Sequence, residues 1–372
     1  MKVKYLYAKR IINSAGNPAI EASVATNKGI FSSSIPSGTS KGKHEVNFIG
    51  INESIKLIDK IKNPEINSIS DIEKLEKKYE HLKANTLPLS LALLKALAAE
   101  RKKEVWQLLG SKQKPLMLNK IIGGGLHAKG GPEFQEFLAV GMSNSLSKNL
   151  EAAYAVDKEV GKKLDEHGRD LEGGWVIKTD NHSALVTLQN AVDKVKSEYG
   201  FKVRLGIDVA ASSFYKKDNY VYKSKSLNRE KQIDFILDII KEFKPLYVED
   251  PLQEDDFDGF AEIKKAAKKT MICGDDLIVT NPIRLTIAKE KNSINSVIVK
   301  PNQVGYLYKL NQFIEKVKRY RYEMVISHRS QETDDDILAD LGVGYGCQFM
   351  KIGLFGGERV AKINRLLKIF NE

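Results

Sequence analysis

Residues 271–300 read MICGDDLIVTNPIRLTIAKEKNSINSVIVK, and this stretch decides the fold class. It holds two short β-rich runs, MICGD and SVIVK, which end on Asp275 and Lys300, with a helix-compatible segment at 282–291 between them. The two charged ends lie 25 positions apart. A strand, a helix and two loops need about 25–40 residues, so the stretch reads as one βα unit.

The same rhythm extends in both directions. VRLGID ends at Asp208, PLYVE at Glu249, EMVISH at His328 and QFMK at Lys351, with helix-compatible sequence such as residues 231–243 in between. In a TIM-type barrel the C-terminal ends of the strands converge on one face, where catalytic groups sit. One charged strand end is an ordinary helix cap or loop partner, whereas six in register point to a site. The 258 residues from Pro115 to Glu372 match the roughly 250 such a barrel requires.

Upstream the pattern differs. Residues 3–7 and 19–35 carry short apolar runs with turn signals at 14–18 and 27–29, which predicts a small antiparallel sheet. Helical periodicity follows from about Ile51 to Leu109, with Gly110 as C-cap, and Leu87, Leu91, Leu94 and Ala98 share one helical face. The expected architecture is therefore an α+β N-terminal domain over 1–112 followed by an α/β TIM-type barrel over 113–372.

Composition narrows the function classes. Of 372 residues, 42% are hydrophobic and 29% charged, which describes a globular chain with enough apolar material for a large core. The N-terminal MKVKYLYAKR has no apolar core of a secretory signal, and the longest mostly apolar stretch, 87–99, is too short to span a bilayer. Two cysteines, Cys273 and Cys347, cannot form a disulfide framework, so a cytoplasmic location is expected. The net charge of +11 comes from scattered lysines without aromatic-basic motifs; it reads as a solvated surface, not as a nucleic-acid or membrane site.

Asp208, Glu249 and Asp275 close three consecutive runs. Three carboxylates held together repel one another unless a cation neutralises them, and an all-oxygen donor set favours Mg²⁺ over zinc. A lysine beside such an ion, as Lys300 and Lys351 would be, is pushed toward the neutral amine and can serve as a base. Metal, lysine base and carboxylate acid together suit removal of a proton next to a carboxylate, through an enediolate that needs strong electrostatic stabilisation.

These residues, in this order, resemble the enolase family almost end to end. The resemblance rests on Ser14 with Gly16-Asn17-Pro18, Pro36-Ser37-Gly38-Thr39-Ser40, Ala84-Asn85 with Ser90-Leu91-Ala92, Gly124-Gly125-Leu126-His127-Ala128, Gln135-Glu136-Phe137, Glu172-Gly173-Gly174 and Asp208-Val209-Ala210-Ala211-Ser212. It continues through Glu249-Asp250-Pro251, Gly274-Asp275-Asp276-Leu277, Val279-Thr280-Asn281-Pro282, Lys300 with Asn302-Gln303, Ser327-His328-Arg329-Ser330 with Glu332-Thr333, and Lys351. The pairing of a lysine or histidine base with one or two Mg²⁺ ions is a known property of that superfamily.

The resemblance implies the Mg²⁺-dependent, reversible dehydration of 2-phosphoglycerate to phosphoenolpyruvate, the enolase step of glycolysis. By position it implies Asp208, Glu249 and Asp275 as ligands of a first magnesium and Ser40 as a holder of a second that arrives with the substrate. It makes Lys300 the base at C2, Glu172 with Glu136 the acid side at the C3 hydroxyl, and Lys351 the neighbour of the substrate carboxylate. His328, Arg329 and Ser330 would bind phosphate, His127 would close over the substrate and Gln135 would hold its carboxylate end. The five carboxylates, three cationic side chains and two ions leave a small positive excess, which suits a phosphorylated substrate.

The family also implies at least a homodimer, with Glu21 at the interface. Ala15 stands where the family has arginine, Lys41 replaces a loop threonine and Ser213 a glutamate, and the stretch 46–54 is short. Leu171 stands where the family has an aspartate, which implies that Glu172 lacks a polar neighbour. Two other readings belong to different classes: a paralogue acting on another phosphorylated or β-hydroxy acid, and a non-catalytic binding protein on the same scaffold. The retained lysines and carboxylates argue against the second of these.

Overall fold

The computed structural model describes residues 1–36, 43–83, 85–164 and 168–372. The chain opens with three antiparallel strands, β1 (Tyr5–Ile12), β2 (Pro18–Thr26) and β3 (Gly29–Ser34), paired in that order. The first turn is made by Asn13, whose side-chain oxygen accepts from the backbone N–H of Ala15 and Asn17, both at 3.0 Å. Gly16 supplies the positive φ the turn needs. Helices α1 (Ile51–Asp59), α2 (Ile69–Tyr79) and α3 (Leu87–Glu100) follow, and a short helix at Val105–Leu109 ends on Gly110 at φ 94°, as the sequence predicts.

The α3 helix departs from the single apolar face expected of it. It is buried from Leu87 through Leu94 and again at Ala96–Ala98, because β2 and β3 cover one side and other helices the rest. Its polar exception, Lys95, donates to the Ser32 carbonyl at 2.9 Å and to Asp335 at 2.8 Å, a residue of the second half of the chain.

That second half forms a closed barrel of eight strands: β4 (Leu116–Gly123), β5 (Glu136–Gly141), β6 (Val203–Asp208), β7 (Tyr247–Glu249), β8 (Met271–Gly274), β9 (Ser296–Val299), β10 (Glu323–Ser327) and β11 (Phe349–Gly353). Neighbours in this order are paired, and β11 closes back onto β4. Seven strands run parallel. The β5 strand is antiparallel to both β4 and β6, which sets Glu136, its first residue, opposite Asp208, the last residue of β6.

Strand alternation builds the interior in layers. Leu118, Leu138, Tyr247, Cys273, Ile298 and Phe349 belong to one buried apolar cluster inside the barrel. Two positions further toward the rim on the same strand lines stand Lys120, Glu136, Glu249, Asp275, Lys300 and Lys351. A period of two keeps each pair on one face, so the apolar layer floors a charged one. Lys351 is thus the third residue of a five-residue strand, not its end as the sequence pattern suggested. Both cysteines are buried free thiols. Among the described residues no helix is long and apolar enough to cross a membrane.

Candidate active site

Each of the eight strands delivers one ionisable residue to the rim. In barrel order these are Lys120, Glu136, Asp208, Glu249, Asp275, Lys300, His328 and Lys351. All are buried or nearly so. A ninth, Glu172, reaches the rim from the loop between the helix Leu146–Gly161 and Trp175. Ser40 lies outside the described residues.

The Lys351 ammonium sits among carboxylates, 2.8 Å from Asp208, 2.9 Å from Glu249 and 3.3 Å from Glu136. Burial alone would lower its pKa, but these three anions hold it well above the usual lysine range. Lys300 contacts Asp275 directly. Here too burial works against the charge while Asp275 outweighs it, so Lys300 stands above its ordinary value. The neutral amine expected from the sequence is therefore not the form that this arrangement favours. Burial pushes Glu249 well above its usual value and Glu136 up to about 7.

The structure brings the three expected metal ligands to adjacent strands, in register for Asp208 and Glu249. They do not form one of the tightest donor sets: an ammonium stands between Asp208 and Glu249, and another on Asp275. Among the described residues, the sets that bring one ligand atom each within 4.8 Å of one another are Asp250, Asp275 and Asp276, and His127, Glu136 and Glu172. Two buried carboxylate oxygens, Glu249 Oε1 and Asp275 Oδ1, have no hydrogen-bond partner among the described residues. Unpaired anionic oxygen donors of this kind fit a hard divalent cation.

Asp250 shapes this corner. In the left-handed region at φ 40°, it accepts from the backbone N–H of Asp275 at 3.0 Å and of Asp276 at 2.7 Å, which pins the turn carrying Asp275. Gln135 donates to Asp208 Oδ2 at 3.3 Å, so its side chain is directed to a carboxylate of the rim.

His328 and Arg329 follow β10. The His328 Nδ1 faces Arg359 Nε at 3.1 Å, and because an arginine only donates, the ring proton lies on Nε2. That Nε2 is buried with no partner among the described residues, and burial holds the ring well below its usual pKa and so neutral. The Arg329 guanidinium lies 3.3 Å from Glu45 and 3.3 Å from Asn302, and its backbone N–H donates to Glu332 at 2.9 Å. The Ser330 carbonyl accepts from Ser14 at 3.4 Å and from Arg359 at 3.3 Å.

Glu172 Oε2 lies 2.8 Å from Lys120 Nζ and 3.2 Å from His127 Nδ1. Burial would raise Glu172, but His127 and Lys120 outweigh it and hold the carboxyl well below its usual range. Leu171 is half exposed, and the polar neighbour that its presence seemed to remove is Asp170 instead. Asp170 Oδ1 accepts from the backbone N–H of Glu172 at 2.9 Å and of Gly174 at 3.0 Å. Glu172 therefore has a polar neighbour despite Leu171.

The sequence reading assigned no role to Lys120, Asp170 or Arg359, and it left Glu45 unassigned. Lys120 carried a readable signal, since it interrupts the apolar run LMLNKIIG at the spacing of two from Leu118. Asp170 and Arg359 act through loop and helix geometry that no spacing rule specifies.

The family described as "Enolase, C-terminal TIM barrel domain" matches residues 112–372. The whole chain is also similar to proteins named enolase. One from Halorubrum lacusprofundi is 36% identical, covering 98% of this chain and 97% of the relative. One from Methanocorpusculum labreanum is 36% identical over 99% and 98%, and one from Methanosphaera stadtmanae is 37% identical over 98% and 95%.

Proposed function

The chain belongs to the enolase family, and from that premise we propose that it is a lyase catalysing that family's reaction, the reversible dehydration of 2-phosphoglycerate to phosphoenolpyruvate. The observation that carries the proposal is the direct contact between Lys300 and Asp275 on neighbouring strands. A lysine base placed beside a carboxylate able to hold a metal ion is the pairing that α-proton removal beside a carboxylate uses.

In this reading the Lys300 amine takes the proton from C2. The electron pair left behind forms the C2–C3 double bond as the C3–O bond breaks, and the departing hydroxide leaves as water with a proton from Glu172. That carboxyl is held ionised in this arrangement and so donates only after taking up a proton, one that Glu136, raised to about 7, can supply. Lys300 is now held protonated by Asp275, so it acts as a base only when that carboxylate's charge is engaged elsewhere. Asp208, Glu249 and Asp275 would hold a Mg²⁺ ion, with Ser40 contributing to a second. Bound there, the metal would supply charge stabilisation for the enediolate. Lys351 and Gln135 would neutralise and orient the substrate carboxylate. Arg329 and Ser330 would hold phosphate, to which the neutral His328 donates through Nε2, and His127 would cover the substrate. The same reading carries assembly into at least a homodimer and a place in the cytoplasm, with neither nucleic acid nor membrane as a specific partner.

A coupled assay on 2-phosphoglycerate, run with and without Mg²⁺ and with Lys300→Ala, tests the proposal. Turnover that requires both the metal and Lys300 supports it. Magnesium binding without turnover of 2-phosphoglycerate would move the reading to a different substrate, and absence of both would end it.

A further inference from the structure

Lys120 is the one rim residue to which the reaction described above gives no task. It is buried at 1% exposure, and its Nζ lies 2.7 Å from Asp170 Oδ2, 2.8 Å from Glu172 Oε2 and 2.9 Å from His127 Nδ1. Burying a lysine ammonium there is costly in desolvation, so its charge persists only because two carboxylates meet it. Burial pulls its pKa down, and Glu172 and Asp170 more than reverse that, so the charge is kept.

The space around Lys120 is shaped for it. A Cβ at Gly174 would stand 3.0 Å from the Lys120 Cε, and one at Gly123 would collide with Asp170 and stand 3.3 Å from the same carbon. Gly353, in register with Lys120 on β11, leaves room for the Glu172 carbonyl, which a Cβ would strike. The segment 169–175 is held by several contacts. Arg169 pairs with Asp157 at 2.7 and 2.9 Å and lies between the Trp175 and Phe355 rings at 3.8 and 3.6 Å. The Glu172 backbone is thus anchored by Asp170, and the direction of its carboxylate is set by what meets its oxygens. His127, Glu136 and Glu172 gather ligand-type atoms within 4.8 Å, and the cation touching two of the three is Lys120.

We propose that Lys120 is a positioning residue of this site: clamped to Asp170, its ammonium fixes the Glu172 carboxylate and the His127 ring in one orientation and serves as their built-in counter-cation. The inference rests on the reading of Glu172 as the group at the leaving hydroxyl. It removes the need for a metal among His127, Glu136 and Glu172, and it makes the function of Glu172 depend on a residue that does not touch substrate.

A double-mutant cycle of Lys120→Met and Glu172→Gln tests this, with kcat, KM, melting temperature and circular dichroism recorded for each variant. Lys120→Met is expected to lower kcat about 10²-fold, as misplacement of a catalytic group does, while KM changes less than about threefold. In the Glu172→Gln background the same substitution should change kcat less than about twofold, because Lys120 acts through Glu172. An equal loss in both backgrounds, or no loss in the first, overturns the proposal.

Infrared titration of the same variants gives a readout that does not depend on turnover. Lys120→Met should show a carboxyl protonating at higher pH than in the wild type, a change absent from the double variant. Its absence overturns the proposal even if the wild type proves inactive on 2-phosphoglycerate, which would refute the reaction alone. If Lys120→Met does not fold, the double variant, in which both charges of the pair are gone, is compared with Glu172→Gln. Similar kcat supports the proposal and a further large loss refutes it.

Discussion

Glu136 faces Asp208 across the antiparallel pair formed by β5 and β6. The first residue of one strand and the last of its neighbour thus share the rim, although Glu136 begins its strand and the other rim acids lie at or just beyond the ends of theirs. This register brings a fourth carboxylate beside the three on β6, β7 and β8, and Lys351 meets it together with Asp208 and Glu249.

Lys300→Ala removes the proposed base without disturbing the apolar layer beneath it. Turnover of 2-phosphoglycerate should fall by at least about 10³-fold, and exchange of the C2 hydrogen with solvent should stop with it. Retained exchange in a folded variant would assign the base elsewhere.

Asp275→Asn tests the cation site through stability. Mg²⁺ should raise the melting temperature of the wild type, with a gain of about 2.7 kcal/mol at a hundredfold excess over Kd. The shift should largely vanish in Asp275→Asn. An equal shift in both proteins would place the ion away from this carboxylate.

Glu76, on α2, accepts from Ser90 at 2.5 Å and from the backbone N–H groups of Leu307 and Tyr308 at 2.7 and 2.9 Å, capping a helix on the barrel. Burial raises its carboxyl to about 7 against those hydrogen bonds. The folded state then binds the proton more tightly than the unfolded one. This contribution to stability is complete below pH 4.5 and is lost as pH rises to about 7, a change of roughly 3 kcal/mol. Urea unfolding of the wild type at pH 5 and pH 8 should show that loss after comparison with Glu76→Gln, which lacks the titration. Parallel pH dependences in the two proteins would contradict it.

Asp335 joins the N-terminal sheet to the barrel, holding Lys95 at 2.8 Å and the Ser34 N–H at 2.8 Å. Asp335→Ala leaves the Lys95 charge with only the Ser32 carbonyl to meet it and the Ser34 N–H without its acceptor. The expected cost is roughly 3 kcal/mol in chemical denaturation, and Asp335→Leu combined with Lys95→Met should cost less than the single change. A neutral single variant would show that the contact is dispensable.

Light scattering should return at least twice the mass of one chain, as family membership leads us to expect. Within the chain Glu21 already pairs with Lys9 at 2.8 Å, so Glu21→Ala should weaken assembly only if Glu21 also reaches a partner. A monomeric mass for the wild type refutes the dimer.

The sequence made the later strands of the barrel legible because each short β-rich run leads to a charged residue, at intervals of 23 to 41 residues that leave room for a helix between them. It hid β4 and β5. Lys120 lies inside an apolar run, and Glu136 starts its strand, so neither follows the rule that marks Asp208 or Glu249. The burial of α3 on all sides was also hidden, since a periodicity argument identifies one apolar face and cannot say how many neighbours will cover the others. Asp170 shows a different limit. Comparison by position reads Leu171 as a lost acid, whereas in the folded loop the residue before it, Asp170, bonds the Glu172 backbone.

The single reversed strand also denies the barrel any interchangeable halves. A protein engineered by joining two copies of its later half would acquire eight strands of one polarity. At the seam it would present a strand terminus, not a strand origin, where Glu136 stands, and the tight packing of acids around Lys351 would be forfeited. Recombination that respects this barrel must therefore carry β4, β5 and β6 as one inherited block.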